Sequence, residues 1–407
     1  MPHQHFLAVT GLLVGLASFS ALAQSAHAPA DLCAAAVPAA EPTTRVFPAP
    51  EHVLQEGVDY RAIFCTSAGP IYVDLFETVT PETVNNFIFL ASNGYYNNTN
   101  LSGRAEGLQL AGGDPTGTGT GGPGYQFSSE IAGFLMFDRP GILAMWTSEW
   151  DINGSQFFIT TSEIPLFDYD FSIFGEVLFG QAYAKTMAYH DSVTPGDVLN
   201  TVLIISDPSE VEVDVPPLES ATTAELRAAL DRENRALSAS MGQVDSDVTG
   251  VFDLDATIEQ LSDSVQASAR TMFEGGGFEM RVRSSIDSCN SNPPGLGKLG
   301  YTLDAYADAG SAAAAIASGV YDAALNGEGF TARNVEGWSQ PLYTRSTTSC
   351  DQPMIEGATI YQRGRYVVEV RASVIDEQPL ELDGWITGFV ARRYERAFAD
   401  VLRRELR

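Results

Sequence analysis

Basic residues and histidine are scarce in this chain of 407 residues, and their scarcity excludes several classes of function. Only 23 lysines and arginines stand against 52 acidic residues, which gives a formal net charge of −29. A chain this acidic lacks the positive surface that neutralises a phosphate backbone, so we expect no nucleic-acid partner. Three of the five histidines fall within the first 28 residues, which leaves only His52 and His190 for the rest. A multi-histidine metal site or a Ser-His-Asp triad is therefore close to excluded, and we expect no metal.

Long apolar runs are absent after the first two dozen residues. The uncharged run from Phe6 to Ala23 is too short and too rich in Ala, Gly and Ser for a membrane span. It has no Lys or Arg before it, but Ala21-Leu22-Ala23 is typical of a signal-peptide cleavage site. We predict a signal peptide over residues 1–23, cleaved after Ala23, and a periplasmic or secreted mature protein that is not inserted in a membrane. An uncleaved anchor is the alternative.

Cysteine is rare too, with four residues and no Cys-x-x-Cys pair, which excludes a thioredoxin-like redox role and a zinc ribbon. An even count in an oxidising compartment favours two disulfides, and four cysteines allow three pairings. We predict that Cys33 pairs with Cys65 and Cys289 with Cys350. Each of these bonds stays on one side of an acidic, proline-broken linker, as expected for separately folding domains.

Composition divides the chain into segments of different texture, although it predicts no oligomeric state. The predicted segments are the signal peptide 1–23, an irregular Ala- and Pro-rich arm 24–58, a glycine- and aromatic-rich domain 59–208, an acidic linker 209–221, a helical segment 222–274 and an α+β domain 278–407 of unknown role. Because few apolar residues surround the linker, we expect the two halves to fold separately.

Local patterns place several secondary-structure elements. In the first half we predict a half-buried strand through Ile71, Val73 and Leu75, a helix that opens at Thr80-Pro81-Glu82 and ends at Asn93-Gly94, and strands at Gln156–Thr161 and Val202–Ile205. In the second half we predict a capping box at Thr222 and Glu225, helices at 255–273 and 303–325, a strand at Phe278–Ser284, a hairpin turn at Gln362–Arg365 and a last helix from Leu380. The six arginines from Arg392 onward are interpreted as a solvated helix face.

Several long motifs occur in a recognisable order between residues 60 and 207. The glycine run at 112–124 lacks the Gly-Lys-Ser/Thr ending of a phosphate loop. The motifs are Thr80-Pro81-Glu82-Thr83-Val84-Asn85-Asn86-Phe87, Gly94-Tyr95-Tyr96, Gly112-Gly113-Asp114, Asn153-Gly154-Ser155-Gln156-Phe157-Phe158-Ile159-Thr160 and Phe174-Gly175-Glu176-Val177. Together they resemble the cyclophilin family of peptidyl-prolyl cis-trans isomerases. The resemblance implies a mainly β fold: a closed eight-stranded antiparallel barrel capped by two helices, with a peptide groove on its outer surface.

The chemistry that this resemblance implies is rotation about an X-Pro bond. An amide resists rotation by about 18–20 kcal/mol, and the uncatalysed reaction takes tens to hundreds of seconds. An enzyme needs an apolar pocket for the proline ring and donors that favour the twisted amide. No nucleophile, general base or cofactor is required. The implied partners are proline-containing, unfolded or partly folded exported polypeptides.

Carried over residue by residue, the resemblance assigns two catalytic positions. Gln156 matches the family's groove glutamine. Arg104 takes the place of the catalytic arginine if one residue is deleted between Arg104 and Gly107, whereas an ungapped count puts Gly103 there. The assigned substrate-binding residues are Phe158, Phe167, Leu108, Gln109, Trp146, Thr147, Leu166 and Phe171. Of these, Trp146 and Thr147 replace an Ala-Asn pair and enlarge the side chains in the groove.

Two functions follow from this reading. The first is a working, slow, exported prolyl isomerase, which we prefer because Arg104, Gln156 and Phe158 are all retained. The second is a cyclophilin-fold module that binds peptides without useful turnover. Plain barrel packing is the alternative role for Phe158, Phe167 and Leu108. The placement of Arg104 relative to Phe158 separates the two functions.

Overall fold

The structure is a computed structural model that describes most of the chain beyond the predicted signal peptide. The described residues are 26–104, 107–147, 152–190, 197–215, 220–289, 295–335, 340–375 and 380–406. The predicted signal peptide lies outside them. Within the described ranges, no helix is both long and apolar enough to cross a membrane.

The first half of the chain is built from short strands with three helices. The strands are β1 (Arg61–Thr66), β2 (Pro70–Leu75), β3 (Thr99–Asn100), β4 (Ser102–Arg104), β5 (Gln109–Gly112), β6 (Phe127–Ser128), β7 (Ile142–Met145), β8 (Ile152–Asn153), β9 (Phe157–Thr160), β10 (Ile173–Phe179) and β11 (Val198–Ile205). The helices are α1 (Pro29–Ala36), α2 (Pro81–Ser92) and α3 (Gln181–Ala188), with 3₁₀ turns at Pro165–Phe167 and Pro208–Glu210.

Nine of these strands form one antiparallel sheet in the order β3-β11-β1-β2-β10-β7-β9-β5-β4. The two end strands, β3 and β4, are separated along the chain by Leu101 alone. The sheet therefore curls back on itself into a nearly closed barrel. The family resemblance implies eight strands in the barrel. Among the described residues this sheet has nine, because Leu101 divides what would otherwise be one strand into β3 and β4.

Helix α2 begins and ends where the sequence predicts. Pro81 occupies its first turn and Asn93 follows its last residue. The carboxylate of Glu130 accepts hydrogen bonds from the backbone N–H groups of Glu82 and Thr83, at 3.2 and 2.7 Å. This distant carboxylate, rather than a side chain of the helix itself, satisfies the exposed donors of the first turn.

The N-terminal arm is more ordered than predicted. It begins with α1, so the expectation of an irregular segment over 24–58 is wrong at this point. The predicted Cys33–Cys65 disulfide is present and fastens α1 to β1. The buried Asn85 side chain holds the arm further along, since its Oδ1 accepts from the backbone N–H of Val53 at 2.7 Å.

The second half forms an α+β unit around one large sheet. Its strands are β12 (Gln243–Val244), β13 (Gly250–Phe252), β14 (Phe278–Asp287), β15 (Leu296–Tyr306), β16 (Thr331–Arg333), β17 (Leu342–Ser349), β18 (Gln352–Arg363) and β19 (Tyr366–Ile375). Its helices are α4 (Thr223–Ser238), α5 (Leu254–Glu259), α6 (Asp263–Gly275), α7 (Ala309–Ala317), α8 (Val320–Gly327), α9 (Leu380–Asp383), a π-helical stretch (Gly384–Ala391), α10 (Arg392–Ala397), α11 (Ala399–Leu402) and a 3₁₀ turn (Arg403–Leu406). The antiparallel order is β12-β14-β15-β19-β18-β17-β16, and β13 also pairs with β14.

Several expectations for this half need correction. Segment 222–274 is not a separate helical unit, because β12 and β13 pair with β14. The expected helix at 303–325 is β15 up to Tyr306, followed by α7 and α8, which the left-handed residue Gly319 separates. The capping box of Thr222 and Glu225, the hairpin turn and the Cys289–Cys350 disulfide are all present.

The two halves share a hydrophobic core, which contradicts the expectation that little apolar surface joins them. One cluster inside the barrel packs Phe87, Phe157 and Phe174 around α2. A second cluster covers the outer face of the barrel at Phe137 and Phe158 and runs without interruption into the helices and sheet of the second half. Although the acidic linker itself is polar, the barrel and the second half that it connects meet through apolar side chains.

Three of the six arginines near the C-terminus are paired with carboxylates of other elements. Arg393 contacts Glu233 at 2.5 Å and Arg404 contacts Glu225 at 2.7 Å, both within the second half. Arg403 reaches across to Asp138 of the barrel, at 2.6 Å. The interpretation as a solvated face is therefore wrong for these three, whereas Arg392 and Arg396 are exposed and Arg407 lies outside the described residues.

Candidate active site

Successive side chains of β9 point alternately into the barrel core and onto its outer face, where the candidate site lies. Phe157 and Ile159 point into the barrel interior, whereas Phe158 joins the cluster on the outer face. In the sheet register, Ala111 lies opposite Phe158, and Gln109 lies opposite both Thr160 and Arg104. Directly opposed residues share a face, so Arg104 lies on the same outer face as Phe158.

Gly103 faces the other way. A side chain at this position would overlap the backbone carbonyl of Ala188, so only glycine fits there. Of the two candidates for the arginine position, only Arg104 therefore shares the outer face with Phe158.

The Arg104 side chain is exposed and lies beside the glycine-rich loop. Its Nη2 is 3.7 Å from the point that a Cβ of Gly119 would occupy. Within the described part of the chain, its guanidinium makes no hydrogen bond or ion pair. A cation in this state can donate to a bound peptide without first breaking an internal contact.

Gln156 meets the same loop from the other side. Its Nε2 donates to the carbonyl oxygens of Gly119 and Gly121, at 3.1 and 2.9 Å. The two predicted catalytic side chains, Arg104 and Gln156, are thus brought together at Gly119, which has a φ of 85° and so adopts the left-handed conformation that favours glycine.

Asp114 holds the loop in shape from within. Its carboxylate accepts from the backbone N–H and the hydroxyl of Thr116, at 2.8 and 2.7 Å, and from the backbone N–H of Gly119. Burial alone would raise the pKa of Asp114, but these hydrogen bonds outweigh burial and hold its pKa below the usual value. The carboxylate therefore stays ionised and keeps the loop folded.

An open cavity of about 610 Å³ lies between this loop and the segment that precedes β9. Gly121, Tyr125, Trp146 and Gln156 contribute to its walls. The volume falls in the range of ordinary small-ligand sites and accommodates a few residues of an extended peptide.

Phe158, the predicted floor of the proline pocket, is covered by other aromatic rings and is 0% exposed. Phe137 stacks on it with ring centroids 5.6 Å apart. Phe171 meets it edge-on at 5.3 Å, and Trp146 in turn stacks on Phe171 at 5.4 Å. Phe167 completes the aromatic cluster, 5.9 Å from Phe158. We call these five rings the Phe158 cluster.

The remaining predicted substrate-binding residues are spread over different environments. Leu166 is 84% exposed and Leu108 is 41% exposed, so both present apolar surface to solvent. Gln109 is only 2% exposed, and its Oε1 has no hydrogen-bond partner among the described residues. Thr147 is half-buried beside Trp146. The structure thus brings Trp146, Phe158, Phe167 and Phe171 into one cluster and leaves Leu108 and Leu166 outside it.

Phe137 is a member of the site that the sequence did not reveal. Its backbone N–H donates to Asp168 Oδ1 at 2.8 Å, and its carbonyl accepts from the N–H of Ile164 at 2.7 Å. These bonds fix its ring against Phe158. The only signal in the sequence is its spacing of three from Phe134, which is equally typical of an ordinary core.

The second half of the protein also borders the site. Glu395 accepts a hydrogen bond from the backbone N–H of Gly133 at 2.9 Å, and Arg392 lies over the ring of Tyr169 at 5.8 Å. Tyr169 stands in the turn between Phe167 and Phe171. Two segments that carry rings of the Phe158 cluster are thus held in place by the last helices.

Comparisons with known proteins agree on one family. The family model for cyclophilin type peptidyl-prolyl cis-trans isomerase/CLD matches residues 62–206. Peptidyl-prolyl cis-trans isomerase A of Mycobacterium tuberculosis is 38% identical over 147 residues, which are 32% of this chain and 81% of the relative. Peptidyl-prolyl cis-trans isomerase 4 of Caenorhabditis elegans is 37% identical over 159 residues, which are 38% of this chain and 30% of the relative.

Among solved structures, one similar protein is a cyclophilin type peptidyl-prolyl cis-trans isomerase of Cryptosporidium parvum, crystallised in the presence of the dipeptide Ala-Pro. It is 34% identical and covers 36% of this chain and 99% of its own, with a TM-score of 0.34. The residues that the family model matches, 62–206, span the strands of the barrel.

Proposed function

The chain belongs to the cyclophilin-type peptidyl-prolyl cis-trans isomerases, and from this we propose that it isomerises X-Pro bonds of exported proteins and so assists their folding. The observation that carries the proposal is the meeting of Arg104 and Gln156 at Gly119, on the outer barrel face that also holds Phe158.

The proposed mechanism uses this chain's own side chains. A substrate lies across the outer face, with its proline ring on Phe158 and the flanking residues in the cavity beside Gln156. As the amide twists, its nitrogen becomes pyramidal and accepts a hydrogen bond from the Arg104 guanidinium. That bond exists only in the transition state, so it lowers the barrier without tightening ground-state binding.

Productive binding in this mechanism requires a rearrangement. Phe158 has no exposed surface, so the Trp146 and Phe171 rings must move aside before a proline can contact it. The fraction of molecules in the open state then scales the apparent affinity for the peptide.

Support for exported substrates comes from the first residues and from the disulfides. The Phe6–Ala23 run has the length and cleavage site of a signal peptide. All four cysteines form disulfides, which is usual in oxidising compartments and unusual in the cytosol. Enzyme and clients would then share the compartment in which newly exported chains fold. N-terminal sequencing of the mature protein tests this part, and a sequence that starts at Gln24 is the expected result.

The catalytic part is tested with a proline-peptide isomerisation assay on the full chain. Arg104→Ala should lower kcat/KM at least tenfold, which corresponds to about 1.4 kcal/mol, with an unchanged melting temperature. Arg104→Lys should recover part of the loss, because an ammonium also donates. Arg270→Ala is the matched control, since Arg270 is an exposed arginine of the second half. An Arg104→Ala variant as active as the wild type would exclude this arginine from the reaction.

The covered Phe158 favours a second candidate function, a peptide-binding module with little turnover. The same assay separates the two functions. Peptide binding without any acceleration over buffer in the wild type would establish the module and reject the isomerase.

A further inference from the structure

One face of the sheet in the second half is only partly covered. The other face of this sheet is covered: it is apolar, carries Val282, Leu303 and Val368, and packs in the core shared with the barrel. At one end of the partly covered face, helices α5 to α8 pack on Tyr306 and Ile360. At the other end, a cavity of about 300 Å³ opens between the strands and the loops around them.

This cavity reverses the charge balance of the chain. Acidic residues outnumber basic residues more than two to one in the whole sequence. Four basic side chains line the cavity against three acidic ones. The basic residues are Arg283, Lys298, Arg345 and Arg371, and the acidic ones are Asp245, Glu328 and Glu356. Such a local excess of positive charge in a strongly acidic protein is unexpected for a surface that only serves solubility.

Three of the four cations have a carboxylate partner, and two of them, Arg371 and Arg345, are held tightly. Arg371 donates from Nη1 and Nη2 to the carboxylate of Glu328, at 2.6 and 3.0 Å, and also contacts Glu369. Arg345 donates from Nε to Glu356 at 2.8 Å. These bidentate and neighbouring pairs lock both guanidiniums in the wall.

Arg283 is different, because no carboxylate in the described part of the chain lies within ion-pair distance of it. Its Nη1 donates to the neutral amide Oε1 of Gln260 at 3.1 Å. Burial, followed by the positive charges of Arg371 and Arg281, lowers the pKa of Arg283, although the more distant Glu369 and Glu328 oppose this. A partly buried cation without a directly paired carboxylate is costly, so the site favours an added anion.

Further donors for such an anion line the same cavity as Arg283. Lys298 is half-exposed, and its ammonium is only loosely paired with Asp245, at 3.7 Å. Thr302 stands opposite Arg283 in the strand register, and Ser285 lies two residues further along β14. Both hydroxyls belong to residues that line the cavity.

We propose that this cavity binds a small molecule that bears an oxyanion, with the anionic group paired to Arg283 and Lys298. A volume near 300 Å³ lies at the lower limit of small-molecule sites, so the ligand is small. Arginine and hydroxyl donors suit both phosphate and carboxylate oxygens, which are therefore the two sources of the same oxyanion chemistry. The site is independent of the peptide groove and of the isomerase reaction.

Inorganic phosphate and acetate are the probes that test the proposal, titrated into the full chain by calorimetry with chloride at constant ionic strength. We expect saturable binding of at least one of them, with the stronger heat identifying the preferred anion. Arg283→Gln should weaken that binding at least tenfold, and Arg283→Lys should weaken it less. Arg270→Gln, which removes an exposed arginine outside the cavity, should leave the affinity unchanged.

A second variant protects the test against misfolding of the Arg283 variants. Lys298 is half-exposed, so Lys298→Gln should fold normally and still weaken anion binding several-fold. The proposal is overturned if neither anion binds saturably to the wild type. It is also overturned if both Arg283→Gln and Lys298→Gln bind with the wild-type affinity. Because the readout is heat of binding and not turnover, these results stand whether or not the barrel is catalytic.

Discussion

Trp146 is the residue whose removal should tell most about the peptide groove. Its indole stacks on Phe171 with centroids 5.4 Å apart and an interplanar angle of 25°, and it meets Phe158 edge-on at 6.0 Å. Trp146→Ala removes both contacts and uncovers the floor that the proline ring needs. We therefore expect this variant to be a better isomerase than the wild type.

The size of the gain follows from the contacts that must break. An aromatic pair contributes about 0.5–1.5 kcal/mol beyond its area burial. If opening costs about 1.4 kcal/mol, roughly one molecule in ten is open, and removal of the indole raises kcat/KM about tenfold. Because Trp146 is only half-buried, its loss should lower the free energy of unfolding by less than the roughly 3–5 kcal/mol of a fully buried tryptophan.

The assay is proline-peptide isomerisation at several substrate concentrations, with kcat and KM separated. The gain should fall mainly on KM, because opening precedes binding. Trp385→Ala is the matched control, since Trp385 also packs on a phenylalanine, Phe389, at 5.0 Å, but lies in the second half. A Trp146→Ala variant that folds normally and is no faster than the wild type would refute the idea that the indole covers the pocket.

Three further predictions concern stability. Glu395→Ala should lower the free energy of unfolding by about 3–5 kcal/mol in urea titrations, because the half-buried Arg363, the backbone N–H of Gly133 and the hydroxyl of Tyr361 all lose the one buried carboxylate that they bind; a loss below 1 kcal/mol would contradict the importance of this buried carboxylate. Burial raises the pKa of Glu77 from 4.5 to about 7, so ionisation destabilises the fold and stability should fall as pH rises from about 4.5 to 7. Glu77→Gln should flatten that fall by about 2 kcal/mol, less than the roughly 3.4 kcal/mol of the full pKa shift because the carboxyl is only partly buried, and an unchanged pH profile would speak against it. Replacing Cys289 and Cys350 by serine opens a loop with a sequence separation of 61 and should cost about 4 kcal/mol, which thermal melting with and without reductant checks.

Most of the barrel was predictable because its signals are local. The helix that starts at Pro81 and the strand through Phe157 each follow from residue types within a few positions, as does the hairpin at Gly364 in the second half. The motifs left two residues, Gly103 and Arg104, for the arginine position, and only the strand register shows that Arg104 shares the outer face with Phe158 while Gly103 faces the other way. The cysteine pairing was predicted from the domain division, which is a weaker argument than a local pattern, but both predicted disulfides are present.

What the sequence could not reveal depends on contacts between distant segments. The apolar residues Phe134 and Phe137 read as ordinary core, because composition does not say which core a side chain joins. Arg403 lies 265 residues from its partner Asp138, and no local pattern connects them. The covering of Phe158 also arises this way, since the rings that cover it come from three separate segments of the chain.

These distant contacts make the second half part of the site's architecture. Gly133, which donates its N–H to Glu395, and Asp138, which pairs with Arg403, lie on either side of Phe137 in one loop. That loop sets the position of the ring that stacks on Phe158. Shifts of the last helices would therefore move the Phe158 cluster, and interfaces between packed cores tend to switch between discrete arrangements rather than deform smoothly. The half of the chain with no matched family is thus physically placed to set how open the peptide groove is.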